Sequence, residues 1–77
     1  MIEIDIHGML FEQAKHIIEE AIKNAPKGTE GIRVIHGYHR GDKLQQMVRD
    51  PNIIRHKRLW RRKLTKNPGE TIMLLYV

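Results

Sequence analysis

The chain's 77 residues suffice for one small domain (1–77), with 40% hydrophobic and 30% charged residues and a net charge of +5. That composition excludes a disordered segment, and the absence of cysteine excludes disulfides and thiolate metal sites. No apolar run approaches the ~20 residues that span a bilayer, and the N-terminus alternates apolar and acidic residues unlike a signal peptide, so a soluble cytoplasmic domain is expected.

In "MIEIDIH", Ile2, Ile4 and Ile6 alternate with Glu3, Asp5 and His7, the period-two pattern of a half-buried strand. From Phe11 to Ala25 the period becomes helical, with Ala14, Ile17, Ile18, Ala21, Ile22 and Ala25 on one face; Pro26-Lys27-Gly28 stops it. "GIRVIHG" reads as a second strand ending at Gly37. A short helix follows from Asp42, an acceptable N-cap, to Asp50, where Pro51 ends it. Residues 57–64 form a basic strand, Asn67-Pro68-Gly69-Glu70 a turn, and "TIMLLYV" a last strand, apolar on both faces and therefore central. The order is β-α-β-α-β-β. A right-handed crossover makes the first two strands parallel, and two helices suffice for one face only. The expected fold is α/β: a two-layer sandwich of a four-stranded mixed sheet with two helices on one face and the other face open. Strand order does not follow from the sequence, nor does oligomeric state, although an exposed third strand could pair with a second copy.

Charge is unevenly placed. Residues 1–30 hold six acids against three lysines, whereas residues 49–66 hold eight bases against Asp50 alone. Such a cluster, with Trp60 inside it, points to a polyanionic partner, with Arg58, Trp60 and Arg62 as candidate contacts. A solvated charged face would have the same composition.

The tripeptide Ile-His-Gly occurs twice, at Ile6-His7-Gly8 and Ile35-His36-Gly37. In parallel strands both copies reach the carboxyl edge, where open α/β sheets gather ligands. His7 and His36 take equivalent places there, and neighbouring strands about 4.8 Å apart would let the two imidazoles share a site. Asp5 and His7, at i and i+2, share a face roughly 7 Å apart along the strand. A carboxylate beside a histidine can orient the ring for proton transfer. The alternative is a polar residue on a solvated face beside a strand-capping histidine. In "HGYHRGD", Gly37 and Gly41 permit close backbone approach to a phosphate, Arg40 and Lys43 add charge, and Tyr38 or His39 could stack on a base. A plain strand-to-helix turn would explain the glycines alone. His7, His36, His39 and Asp5 could ligate a metal, but no H-x-x-x-H helix or cysteine pattern supports zinc. His16 reads as a boundary residue of the first helix, and His56 belongs to the basic segment.

Ile4-Asp5-Ile6-His7-Gly8 resembles the L-D-L-H-G signature that opens the small MutS-related (Smr) domain. Val34-Ile35-His36-Gly37 resembles that family's second signature, H-G-x-G, and Asn67 to Ile72 its closing turn and strand. The resemblance covers the whole chain. It implies a nucleic-acid endonuclease acting on DNA or RNA, including messenger RNA on stalled ribosomes. It places Asp5 and His7 at the reaction centre and His36 and Gly37 in the binding loop. Three departures stand out: His39 in place of the second loop glycine, Leu10 in place of a threonine N-cap, and an unusually basic third strand.

The expected function is phosphodiester cleavage, of RNA in preference to DNA. Asp5 and His7 would be catalytic, and His36, Gly37, Tyr38, His39, Arg40, Gly41, Lys43, Arg58, Trp60 and Arg62 would bind nucleic acid. RNA needs only a base for its 2′-hydroxyl; DNA would need activated water, with a divalent metal such as Mg²⁺. The alternative is a non-catalytic adaptor that docks on nucleic acid or the ribosome through the same basic face.

Overall fold

The computed structural model describes residues 1–38 and 43–77. Its elements are β1 (Ile2–Asp5), α1 (Phe11–Asn24), β2 (Gly31–Ile35), α2 (Lys43–Arg49), β3 (Leu59–Leu64) and β4 (Glu70–Leu75), the expected β-α-β-α-β-β order. The sheet runs β1-β2-β4-β3, with β1 and β2 parallel and β4 antiparallel to both its neighbours. β4 is central, and its Thr71, Ile72, Met73 and Leu75 are buried, as its apolar sequence requires.

Alternation sorts the side chains. Ile6, Ile32, Val34, Met73 and Leu75 line one face and pack with Ala14, Ile18 and Ile22 of α1 and Met47 and Val48 of α2. Both helices therefore cover that face. Burying each large aliphatic side chain here contributes about 2 kcal/mol. The other face carries Glu3, Asp5, Arg33, Ile35, Glu70, Ile72, Lys63, Leu74 and Arg61 by register, and no helix covers it.

The helix ends are closed in two ways. The N-cap of α1 is Leu10, which has extended backbone angles and gives no side-chain hydrogen bond to the first turn. At the other ends, two arginines reach across from the third-strand segment. Arg58 donates to the carbonyls of Ile22 (2.9 Å) and Ala25 (2.7 Å). Arg62 donates to those of Val48 (2.6 Å), Asp50 (3.3 Å) and Ile54 (2.7 Å). The last carbonyls of a helix lack internal partners and sit at its negative pole, so a guanidinium there satisfies both needs. Residues 51–56, to which the sequence reading assigns no element, form turns that bury Ile54 completely.

β1 and β2 end at Asp5 and Ile35, two residues before the expected His7 and Gly37. Beyond Ile35 the backbone leaves the ladder, because the N–H groups of His36 and Gly37 both donate to the Gly69 carbonyl at 2.9 Å. Asp42, the expected N-cap of α2, lies outside the described residues.

Candidate nucleic-acid site at the carboxyl edge of the sheet

The last strand residue of β1 organises the edge. Asp5 Oδ1 accepts from the His7 backbone N–H at 3.0 Å and lies 2.5 Å from His7 Nδ1. The bond from the imidazole holds the Asp5 carboxyl below its ordinary range. An ionised Asp5 can only accept, so Nδ1 donates in that bond, and in the neutral ring the lone pair is on Nε2. Among the described residues nothing bonds Nε2, and the His7 side chain is 70% exposed. The pair is thus a surface imidazole with a fixed tautomer and a free basic nitrogen, the arrangement a general base needs.

Gly8 and Gly37 both have φ of +77°, a left-handed conformation suited to glycine. A Cβ on Gly37 would sit 3.7 Å from the Cβ of His7, so the two segments are in contact. Gly69 completes the edge: a Cβ there would meet Gly37 Cα at 3.5 Å and Tyr38 at 3.6 Å. The Asn67–Glu70 turn is tied internally, with Gly69 N–H donating to Asn67 Oδ1 at 2.8 Å, and Gln45 of α2 donates to the Pro68 carbonyl at 3.1 Å. Three segments widely separated in sequence thereby meet beside His7.

The two imidazoles do not share a site, contrary to the expectation from the repeated tripeptide. Asp5 pairs with Ile35, and past these strand ends His7 lies against Gly37, not against His36. The repeats are one residue out of register, and a one-residue offset sends equivalent side chains to opposite faces. His36 is accordingly 4% exposed on the helix-covered face. Its Nδ1 lies 2.7 Å from the Gly37 carbonyl, and its Nε2 lies 2.9 Å from Thr71 Oγ1. Arg49 Nε donates to that same Oγ1 at 2.8 Å. The carbonyl accepts, so Nδ1 donates, and the Thr71 hydroxyl donates to Nε2. Burial above all, and then the nearby Arg49 charge, lower the His36 pKa against the opposing pull of the Gly37 carbonyl and Glu70. His36 positions the loop from beneath and presents no nitrogen to a ligand.

The remaining predicted contacts separate. Tyr38 is 51% exposed beside Gly69, and Lys43 is exposed at the start of α2. His39, Arg40 and Gly41 lie outside the described residues. Arg58 and Arg62 are committed to the helix carbonyls described above; burial lowers the Arg62 pKa, although an arginine stays charged throughout the working range. Trp60 is exposed, but at the opposite end of the sheet. The residues that sequence reasoning missed are Arg49, Gly69 and Thr71 under the loop, and Arg61 and Lys63 on the open face. Thr71 was findable as the lone polar residue in "TIMLLYV". Among the described residues no three His, Cys, Asp or Glu side chains converge as a metal-binding group, and no helix is long and apolar enough to cross a membrane.

Comparison with known proteins identifies the family and the fold. The Smr domain family model matches residues 4–66, which include both Ile-His-Gly segments. The crystal structure of the Smr domain of Thermus thermophilus MutS2 superposes with a TM-score of 0.82 at 24% identity, covering 100% of both chains. No curated protein matches the chain. With the family match over most of its length and the same fold throughout, this chain belongs to the Smr domain family, whose members are nucleases and nucleic-acid-binding domains.

Proposed function

We propose that the chain is an endonuclease that cleaves RNA, and that His7 is its general base. One observation carries this reading: an exposed imidazole whose Nδ1 is 2.5 Å from a carboxylate and whose Nε2 bonds nothing among the described residues, at the edge where the glycine loop lies. In RNA, Nε2 would take the proton of a 2′-hydroxyl. The 2′-oxygen would then attack phosphorus while the bond to the 5′-oxygen breaks, and that oxygen would leave with a proton from solvent. Asp5 fixes the ring and stabilises the imidazolium as it forms; this kind of base contributes typically ~10²–10⁴-fold. DNA lacks the 2′-hydroxyl, which is why RNA is the favoured substrate. The absence of cysteine suits a reducing compartment, and we place the activity in the cytoplasm.

The test is incubation with end-labelled single-stranded RNA, with and without Mg²⁺, beside Asp5→Ala and His7→Ala variants. Cleavage by the wild type alone, yielding 2′,3′-cyclic phosphate ends without Mg²⁺, is expected. RNA retained but uncut by all three proteins would reject the nuclease in favour of an adaptor.

A further inference from the structure

The end of the sheet far from His7 carries an arrangement that cleavage chemistry does not use. At the start of β3 the pairing is irregular: Leu59 opposes Leu75, Arg61 opposes Leu74, and Trp60 is the extra residue. A bulge of this kind puts two consecutive side chains on one side. Leu59 packs against the core, while Trp60 and Arg61 emerge on the open face with Lys63 two residues on. Trp60 meets Tyr76 with ring centroids 6.3 Å apart, and the Arg61 guanidinium lies 4.8 Å from the Trp60 ring centre. Trp60 and Tyr76 remain 52% and 60% exposed. Leu74 and Ile72 extend the apolar floor between them and the centre of the sheet.

The charge on this face is polarised. Arg33 is neutralised between Glu3 at 3.7 Å and Glu70 at 3.6 Å. Arg61 and Lys63 make no ion pair or side-chain hydrogen bond among the described residues, unlike Arg58 and Arg62, whose charges are spent on helix ends. The unneutralised cations therefore line β3 between the ring pair and the carboxyl edge. Three strand spacings and about four residues of strand separate the ring pair's end of β3 from Asp5, about 20 Å diagonally.

We propose that the open face of the sheet is a track for single-stranded nucleic acid: an unpaired base stacks on Trp60 beside Tyr76, and the phosphates follow Arg61 and Lys63 towards His7. The proposal deepens the endonuclease reading, on which it rests, by naming an unpaired strand as the substrate. Aromatic faces recognise splayed bases and tolerate any sequence, whereas the bases of a duplex are already stacked on one another. Cations alone would hold duplex and single strand alike; the exposed rings are what select the single strand.

Trp60 is the chain's single tryptophan, so its fluorescence reports on this position alone. The experiment titrates the wild type with oligouridylate and oligothymidylate of about ten nucleotides, a length within the usual span of such sites, and with a duplex of equal length. The deoxy strand lacks the 2′-hydroxyl and reads binding without cleavage. Both single strands should quench the fluorescence and the duplex should not. By fluorescence anisotropy of labelled oligothymidylate, Trp60→Ala should weaken binding roughly 5- to 100-fold, and Trp60→Phe much less. An unchanged melting temperature would show that the variants fold. Equal binding by Trp60→Ala and wild type, equal quenching by duplex, or no binding of either single strand would overturn the track. Trp60-dependent binding without RNA cleavage would instead reject the endonuclease reading and leave the track standing.

Discussion

The two Ile-His-Gly segments share three residues and the same glycine φ, yet one histidine is 70% exposed in its side chain and the other is 4% exposed overall. His7 is bonded only to Asp5 among the described residues and leaves a nitrogen free, whereas His36 uses both nitrogens to bind Thr71 and the Gly37 carbonyl. What separates them is a one-residue offset between the tripeptides at the ends of the paired strands, together with the Gly69 carbonyl that draws the second one off the ladder. The role of a histidine at a sheet edge is set by which face the ladder gives it, which no inspection of neighbouring residues reveals.

The sharpest way to break this comparison is to remove each ring in turn. His7→Ala should lower RNA cleavage by about 10²–10⁴-fold while leaving the melting temperature unchanged, measured by single-turnover cleavage and thermal unfolding. His36→Ala should instead cost roughly 2–4 kcal/mol in urea unfolding, since it opens a cavity and strands the Thr71 hydroxyl. Equal stability losses in the two variants would sink the distinction. Acid sharpens it further. The folded-state pKa of His36 is depressed below 6.5, so the unfolded chain takes up that proton first. Its contribution to stability is complete above pH 6.5 and is lost as pH falls towards the depressed value. Unfolding followed between pH 7.5 and 5 should show this decline, and His36→Gln should flatten it.

The same contrast recurs between adjacent bases of β3. Arg62→Ala should destabilise by about 1–3 kcal/mol by freeing buried carbonyls at the end of α2, and Lys63→Ala by less than about 0.5 kcal/mol. In salt-dependent binding assays the order should invert, with Lys63→Ala weakening RNA binding and reducing its salt slope. The smallest effect belongs to α1. Leu10 is 77% exposed and caps nothing, so Leu10→Asp should raise stability by about 1 kcal/mol in thermal unfolding.

Much of the fold was legible because it depends on local periodicity. The alternation of Ile2, Ile4 and Ile6, the helical spacing from Ala14 to Ile22, and the apolar "TIMLLYV" located β1, α1 and the central β4. Asp5 and His7 were read as a pair from their i, i+2 spacing, but His7 lies past the end of β1 and reaches Asp5 across a turn, its backbone N–H and Nδ1 both meeting Oδ1. Other features depend on contacts distant in sequence. The strand order, the Gly69 carbonyl that pulls His36 and Gly37 off the ladder, and the reach of Arg58 and Arg62 to helix ends are all of this kind. Eight bases in eighteen residues read as one basic cluster; the structure puts Arg58 and Arg62 on helix ends, Arg49 under the loop, and Arg61 and Lys63 on the open face.

The bulge at Trp60 has a consequence for how copies of this chain behave beside one another. β3 is an edge strand, and a straight, flat edge offers its unpaired backbone groups to any other strand it meets. Here the extra residue interrupts the ladder, and Arg61, Lys63 and Lys66 add like charges along the same border. Edges that are bent and cationic discourage edge-to-edge pairing. The irregularity that brings Trp60 and Arg61 to one face thus also protects a concentrated solution of the protein against growth into continuous sheets.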